Sequence, residues 1–287
     1  MPRNRTELRE RFIRRFASDP EFLRSYEDIQ TIETVPADER FPCLSPRDAL
    51  ALTGEFFPNE VALTFLQNGS ASDKPIRWNY REYVQEVNRA ANLFHGLGLQ
   101  VDESVVFLLP NVPQLLFGIW GAQMAGIAAP INPYLEIEHT ASIARSANAR
   151  ILVTLSPSEP SGDELWQKAI RVKEAVPTLL HVITVGEVPA QGCLSWSQLT
   201  SVQPGDDLIF DRPITGQEIA SYFHTGGTTG APKLAQHTHR KQILNVCQMQ
   251  LTGPRGKTNN GYSDIDRILC TLPLFHVNAV FVTSLNA

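Results

Sequence analysis

Cysteine is scarce and scattered in this sequence. Its four residues, Cys43, Cys193, Cys247 and Cys270, include no C-x-x-C pair, which argues against a disulfide framework or a Cys-based zinc site. No apolar segment follows Met1 in the manner of a signal peptide, so reduced thiols and a cytoplasmic location are the expectation. Charge of one sign is also lacking. The net charge of −5 gives no global attraction for nucleic acid, and the seven arginines of residues 1–30 are nearly balanced by six acids. Within that stretch Leu8, Phe12, Ile13 and Phe16 form an apolar stripe at helical spacing, which the weak charge assigns to docking on the protein itself rather than to a membrane surface. A long unbroken hydrophobic run is missing too. Residues 112–135 are nearly uncharged, but Pro113 and Pro130 leave about sixteen residues between them, with Gln114 and Gln123 inside, which suits a buried helix and no bilayer crossing.

What is present is the balance of a globular protein, 43% hydrophobic and 19% charged. From residue 60 onward short apolar runs alternate with amphipathic helical stretches, the pattern of an α/β chain. Strands are expected at 61–66 and 76–78, around a polar turn at 68–75. Asn79 and Glu82 then have the spacing of a capping box, opening a helix whose apolar face is Tyr83, Val84, Val87, Ala90, Ala91 and Phe94 and whose end is marked by Gly96 and Gly98. Further strands are expected at 104–109, 127–131, 151–155, 180–185 and 219–224, with helices near 113–125, 136–147 and 163–176 between them. Residues 186–217 show no sustained period and read as a surface connection.

The strand at 219–224 runs into Thr225-Gly-Gly-Thr-Thr-Gly-Ala-Pro-Lys233, and a helix is expected from 238 to 249. Glycines let backbone N–H groups turn inward, while Thr225, Thr228 and Thr229 add hydroxyls and Lys233 adds charge, so the segment is suited to phosphate oxygens, a triphosphate above all. It is not a Walker A loop. That motif needs Gly-Lys followed by Ser or Thr, whereas here Pro232 precedes Lys233 and Leu234 follows it.

The stretch closely resembles the phosphate-binding signature of adenylate-forming enzymes, the superfamily of acyl-CoA synthetases, luciferases and peptide-synthetase adenylation domains. In its usual form, T-S-G-T-T-G-x-P-K-G, the matches are Thr225, Gly226, Gly227, Thr228, Thr229, Gly230, Pro232 and Lys233. Glycine replaces the usual serine, and Leu234 replaces the final glycine. Residues 222–239 also resemble a subgroup of bacterial acyl-CoA synthetases with a long N-terminal extension. Further similarity lies in Trp78-Asn-Tyr-Arg-Glu-Tyr, in Val101-x-x-x-Val-Val-Phe, in Gln123-Met-Ala-Gly-Ile-Ala-Ala-Pro-Ile-Asn-Pro, and in Pro273-Leu-Phe-His-Val, whose His276 matches a family histidine beside the acyl pocket. His224, His237 and His239 have no partners at metal-ligand spacing and are read as structural, and no metal site is expected.

The resemblance implies an α/β fold: a partial N-terminal domain of an adenylate-forming enzyme, with β-α-β layers, helices packed on sheets and no C-terminal lid domain. Residues 1–58 would be a helical extension and 59–287 an incomplete AMP-binding domain with its phosphate loop at 225–233. It implies phosphate contacts from Thr225, Gly226, Gly227, Thr228, Thr229, Gly230 and Lys233, and a place for His276 in the substrate pocket. The implied reaction is adenylation of a carboxylic acid, a fatty acid in this reading, by ATP and Mg2+, followed by transfer of the acyl group to coenzyme A. The family's ribose-binding aspartate, its acidic magnesium residue, its hinge and its lid lysine have no counterpart in these residues, so the chain alone is expected to be inactive. A non-catalytic remnant serving as a binding module, and a peptide-synthetase adenylation domain, are the other readings.

Overall fold

The computed structural model of the protein describes residues 25–37, 43–188, 190, 192–225, 233–252 and 267–285, without the side chains of 250–252. The stripe of Leu8, Phe12, Ile13 and Phe16 lies outside the described residues. Among the described residues two short helices come first, α1 (Tyr26–Glu33) and α2 (Pro46–Phe56). Each is opened by a serine capping box, Ser25 with Asp28 and Ser45 with Asp48, because two otherwise orphaned backbone N–H groups are satisfied at once. Leu52 of α2 packs with Cys43 and Ile243.

Next comes an antiparallel pair, β1 (Val61–Phe65) and β2 (Ile76–Asn79). Its turn is tied by the Asp73 carboxylate, which accepts from the Asn68 and Ser70 amides. Helix α3 (Tyr80–Gly96) starts on the expected capping box, with Asn79 and Glu82 exchanging bonds of 2.9 Å. It ends where Gly98 adopts a φ of 81°, a left-handed conformation that lets the Leu99 amide reach back to the Phe94 carbonyl. Tyr83, Val87, Ala90, Ala91 and Phe94 are buried along its inner face, as the spacing predicts.

The main body alternates strand and helix: β3 (Ser104–Leu108), α4 (Pro113–Ala125), β4 (Ile127–Pro130), α5 (Ile137–Ser146), β5 (Ala149–Leu155), α6 (Gly162–Ala175) and β6 (His181–Val185). It continues with β7 (Leu194–Ser195), α7 (Trp196–Ser201), β8 (Ile219–Thr225), β9 (Lys233–Thr238) and α8 (His239–Thr252). After a further stretch come α9 (Val277–Val280) and a π-helical turn at Phe281–Leu285. Seven strands form one sheet in the order β7-β6-β5-β3-β4-β8-β9, parallel throughout except for the antiparallel last pair.

Both faces of the sheet are covered, as a parallel sheet requires. Val105 and Phe107 of β3 join the core shared with α3 and α4, while Val106 and Leu108 join the core shared with α5 and α6. Each fully buried side chain of this kind contributes roughly 1.5–3 kcal/mol. Every residue of α4 except Gln114 is buried, so the apolar run is a core helix. Among the described residues no helix is long and apolar enough to cross a membrane.

One expectation needs correction, and one strand was not foreseen. Residues 186–217 are not simply a connection, since they include β7 and α7; Trp196 is buried against Phe94, and Asn92 of α3 donates to the carbonyls of Pro204 and Asp207 while accepting from the Ile209 amide. The loop after β8 is followed by a strand, β9, before any helix begins. That strand forms because the chain returns antiparallel along the edge of β8 that faces away from β4, where Ser221 to Thr225 find partners in His237 to Lys233.

This arrangement predicts an order of amide protection. Strand β3 is buried along its whole length and paired on both flanks, whereas β8 has one full ladder and residues 268–272 have none among the described residues. Hydrogen exchange should therefore be slower at 104–108 than at 219–224, and fastest at 268–272. Equal slow exchange in all three would contradict the pairing described.

Candidate functional site

The site is built around the hairpin of β8 and β9. The two strands are in register from Ser221 opposite His237 to Thr225 opposite Lys233, so the residues that open and close the candidate phosphate loop are direct cross-strand partners. Thr225 Oγ1 also donates to the Lys233 carbonyl at 3.4 Å. Both side chains are exposed at the end of the sheet. Of the other residues in the predicted loop, Gly226, Gly227, Thr228, Thr229 and Gly230 lie outside the described residues. Because β9 intervenes, helix α8 starts six residues beyond Lys233.

His276 sits beside this hairpin through a chain of contacts. The His224 ring, one residue before Thr225, stacks on Phe275 with centroids 6.2 Å apart at 22°, and Phe275 meets His276 at 4.6 Å. Asn111, in the loop after β3, fixes that turn by donating to the Leu272 carbonyl at 2.9 Å and accepting from the Leu274 amide at 3.0 Å. His276 precedes α9 and its side chain is exposed, while Leu274 and Phe275 are buried beneath it.

The other histidines differ in surroundings. His224 accepts a 3.0 Å bond from the Asn132 amide through Nε2, and burial, with His276 nearby, holds it below the usual imidazole range. His237 lies edge-on between Phe223 and Phe281, and burial lowers it too, with Lys241 adding to the effect. His239 is 1% exposed, and neither ring nitrogen finds a hydrogen-bond partner among the described residues. Burial and then Arg212 push it down to about 4, against the opposing pull of Glu218.

No group of three His, Cys, Asp or Glu among the described residues is placed to hold a metal ion. A surface cleft lined by Trp166, Lys173, His181 and Cys193 lies by β6 and β7, at the opposite edge of the sheet from the hairpin. Sequence reasoning missed the contacts of His224, Asn132 and Asn111. The only signal for them was that His224 adjoins the Gly/Thr segment and Asn132 follows a buried strand.

The sequence profile of AMP-binding enzymes matches residues 51–286. The marinolic acid–CoA ligase of a Pseudoalteromonas species is 43% identical over 276 residues, covering 96% of this chain and 41% of that protein. A crotonobetaine/carnitine–CoA ligase of Escherichia coli is 30% identical over 214 residues, covering 74% of this chain and 39% of the relative. The chain thus spans about two fifths of the length of the curated relatives it matches. Among solved structures, the anthranilate–CoA ligase AuaEII in complex with anthranoyl-AMP superposes with a TM-score of 0.61 at 25% identity, over 70% of this chain and 36% of that one. Acetoacetyl-CoA synthetase from Streptomyces lividans shares the fold, with a TM-score of 0.67 at 18% identity over 84% of this chain and 37% of that one. With a profile match over most of its length and a fold in common with the N-terminal part of such ligases, this chain belongs to the AMP-binding enzyme family.

Proposed function

We propose that this chain forms the nucleotide-gripping part of an AMP-forming acyl-CoA synthetase, which joins a carboxylic acid to AMP and passes the acyl group to coenzyme A. The observation that supports the reading is the hairpin in which Thr225 and Lys233 are cross-strand partners, so that a hydroxyl-bearing residue and a lysine flank the two ends of a Gly/Thr segment. In that role Lys233, the loop threonines and the amides of Gly226, Gly227 and Gly230 hold the β- and γ-phosphates while negative charge moves onto departing pyrophosphate. This is work for fixed donors rather than for an acid or base. Magnesium enters this reading with the nucleotide phosphates. His276, exposed on its pinned turn, is the candidate for contact with the acid, a fatty acid in this reading; the relative at 43% identity is a ligase of marinolic acid. A cytoplasmic setting goes with this chemistry.

The test is nucleotide affinity. Lys233→Ala removes one charge-assisted partner, worth about 1.5–3 kcal/mol, so magnesium-ATP should bind the chain some ten- to hundredfold more weakly by calorimetry. Pyrophosphate exchange driven by a panel of short- to long-chain acids then reports turnover. Unchanged affinity in Lys233→Ala would overturn the assignment.

A further inference from the structure

Three segments meet at the ring of His224. The first is β8 itself, which carries His224 one residue before Thr225. The second is the exit of β4, where the Asn132 amide donates to Nε2 at 3.0 Å. The third is the turn before α9, where the Phe275 ring runs nearly parallel to the imidazole with centroids 6.2 Å apart and His276 follows. A leucine or phenylalanine could fill the stacking position, but neither could accept the amide proton.

We propose that His224 is a positioning residue: its neutral imidazole sets the register between the mouth of the phosphate loop and the turn that carries His276, and the tie opens when the ring takes up a proton. The inference rests on the adenylation reading for what is positioned, and on geometry alone for the tie. An Nε2 that accepts an N–H bond must keep its lone pair, so the neutral ring carries its proton on Nδ1. Protonation would set N–H against N–H, and the Asn132 amide has no lone pair to offer in return. Burial and the neighbouring His276 hold His224 in the neutral form at pH 7. Among the described residues, the ionisable groups by the ring are His276 on the turn and Lys233, one ladder step from Leu234, the cross-strand partner of His224; residues 127–133 of the β4 exit contribute none.

Nitrogen NMR on the 287-residue chain tests this without any ligand. In the wild type, His224 should show the Nδ1–H tautomer, and the Asn132 amide should titrate with the His224 ring as the pH is taken below the usual imidazole range. His224→Gln sets an amide oxygen near the Nε2 position, so the Asn132 signal should stay close to its wild-type position and lose its pH dependence. His224→Leu should displace the Asn132 amide at every pH and move the His276 ring signals, with Val153 in the far core as a check on folding. Magnesium-ATP is then added. Shifts at Thr225 and Lys233 should extend to Asn132 and His276 in the wild type and in His224→Gln, and be reduced there about fivefold or more in His224→Leu. An Nε2–H tautomer, an Asn132 amide indifferent to the His224 titration, or ATP shifts that reach His276 equally in His224→Leu would each overturn the proposal. If Thr225 and Lys233 do not respond to ATP, the nucleotide reading fails, and the ligand-free titration still decides the tie. Should His224→Leu not fold, the wild type and His224→Gln suffice.

Discussion

Gly121→Val should destabilise the protein by about 3 kcal/mol or more, enough to lower its urea midpoint sharply. Gly121 lies where α4 presses on α3, and any β-carbon there would come within 2.7 Å of Ala90 Cβ and 2.8 Å of the Ala91 backbone nitrogen. Neither obstacle can rotate away. The helices would have to part, and with them Phe94, Leu115, Ile119 and Trp120, all nearly inaccessible to solvent. Two further variants make the argument specific. Gly96→Ala, at a position with open space around it, should be neutral or stabilise slightly through the unfolded state. Adding Ala90→Gly to Gly121→Val should rescue only part of the loss, because the backbone contact remains. Full rescue would show that the side chain alone set the spacing.

The second large effect concerns acid. His239 is neutral in the folded protein and titrates only at about 4, whereas the unfolded chain takes up that proton near the usual 6.5. Between these values the unfolded state binds more protons, so the stability tied to His239 is complete above pH 6.5 and is lost as pH falls through the folded value. The shift corresponds to about 3 kcal/mol. Its cause is local: both ring nitrogens lack partners among the described residues, and the Arg212 guanidinium, which pairs with Glu218 and donates to the Met124 carbonyl at 3.0 Å, opposes a second positive charge. His239→Leu should leave stability at pH 7 nearly unchanged and make it fall less between pH 6.5 and 4 than in the wild type. Urea unfolding at both ends of that range measures the difference. Equal losses in the two proteins would mean that other groups, such as His224 and His237, carry the acid sensitivity.

Much of the fold was legible because local and tertiary preferences agree. The capping box at Asn79 and Glu82, the apolar face of α3 and the buried runs of β3, β5 and β6 could each be read from residue type and period alone. Strand β9 could not. Lys-Leu-Ala-Gln-His-Thr has little strand propensity of its own and is held by its antiparallel ladder along the edge of β8 opposite β4. The same holds for 202–210, whose irregular backbone is fastened by Asn88 and Asn92, residues more than a hundred positions away in the chain. At the candidate site, Thr225, Lys233 and His276 stood out by motif. His224 did not, because its partner is a backbone amide 92 residues away and no side-chain pattern announces it.

The pairing of Thr225 with Lys233 also sets a length scale. Nine residues from one to the other, leaving and returning to the same ladder rung, make a tether whose contour is about 28 Å, so its tip can travel at most roughly 14 Å from that rung. In the phosphate-binding role proposed above, a bound group would therefore stay within reach of the lysine that closes the segment. Lengthening the segment would release that bond between grip and charge, and shortening it would draw the two together, so spacing and not composition alone sets how far the loop can reach.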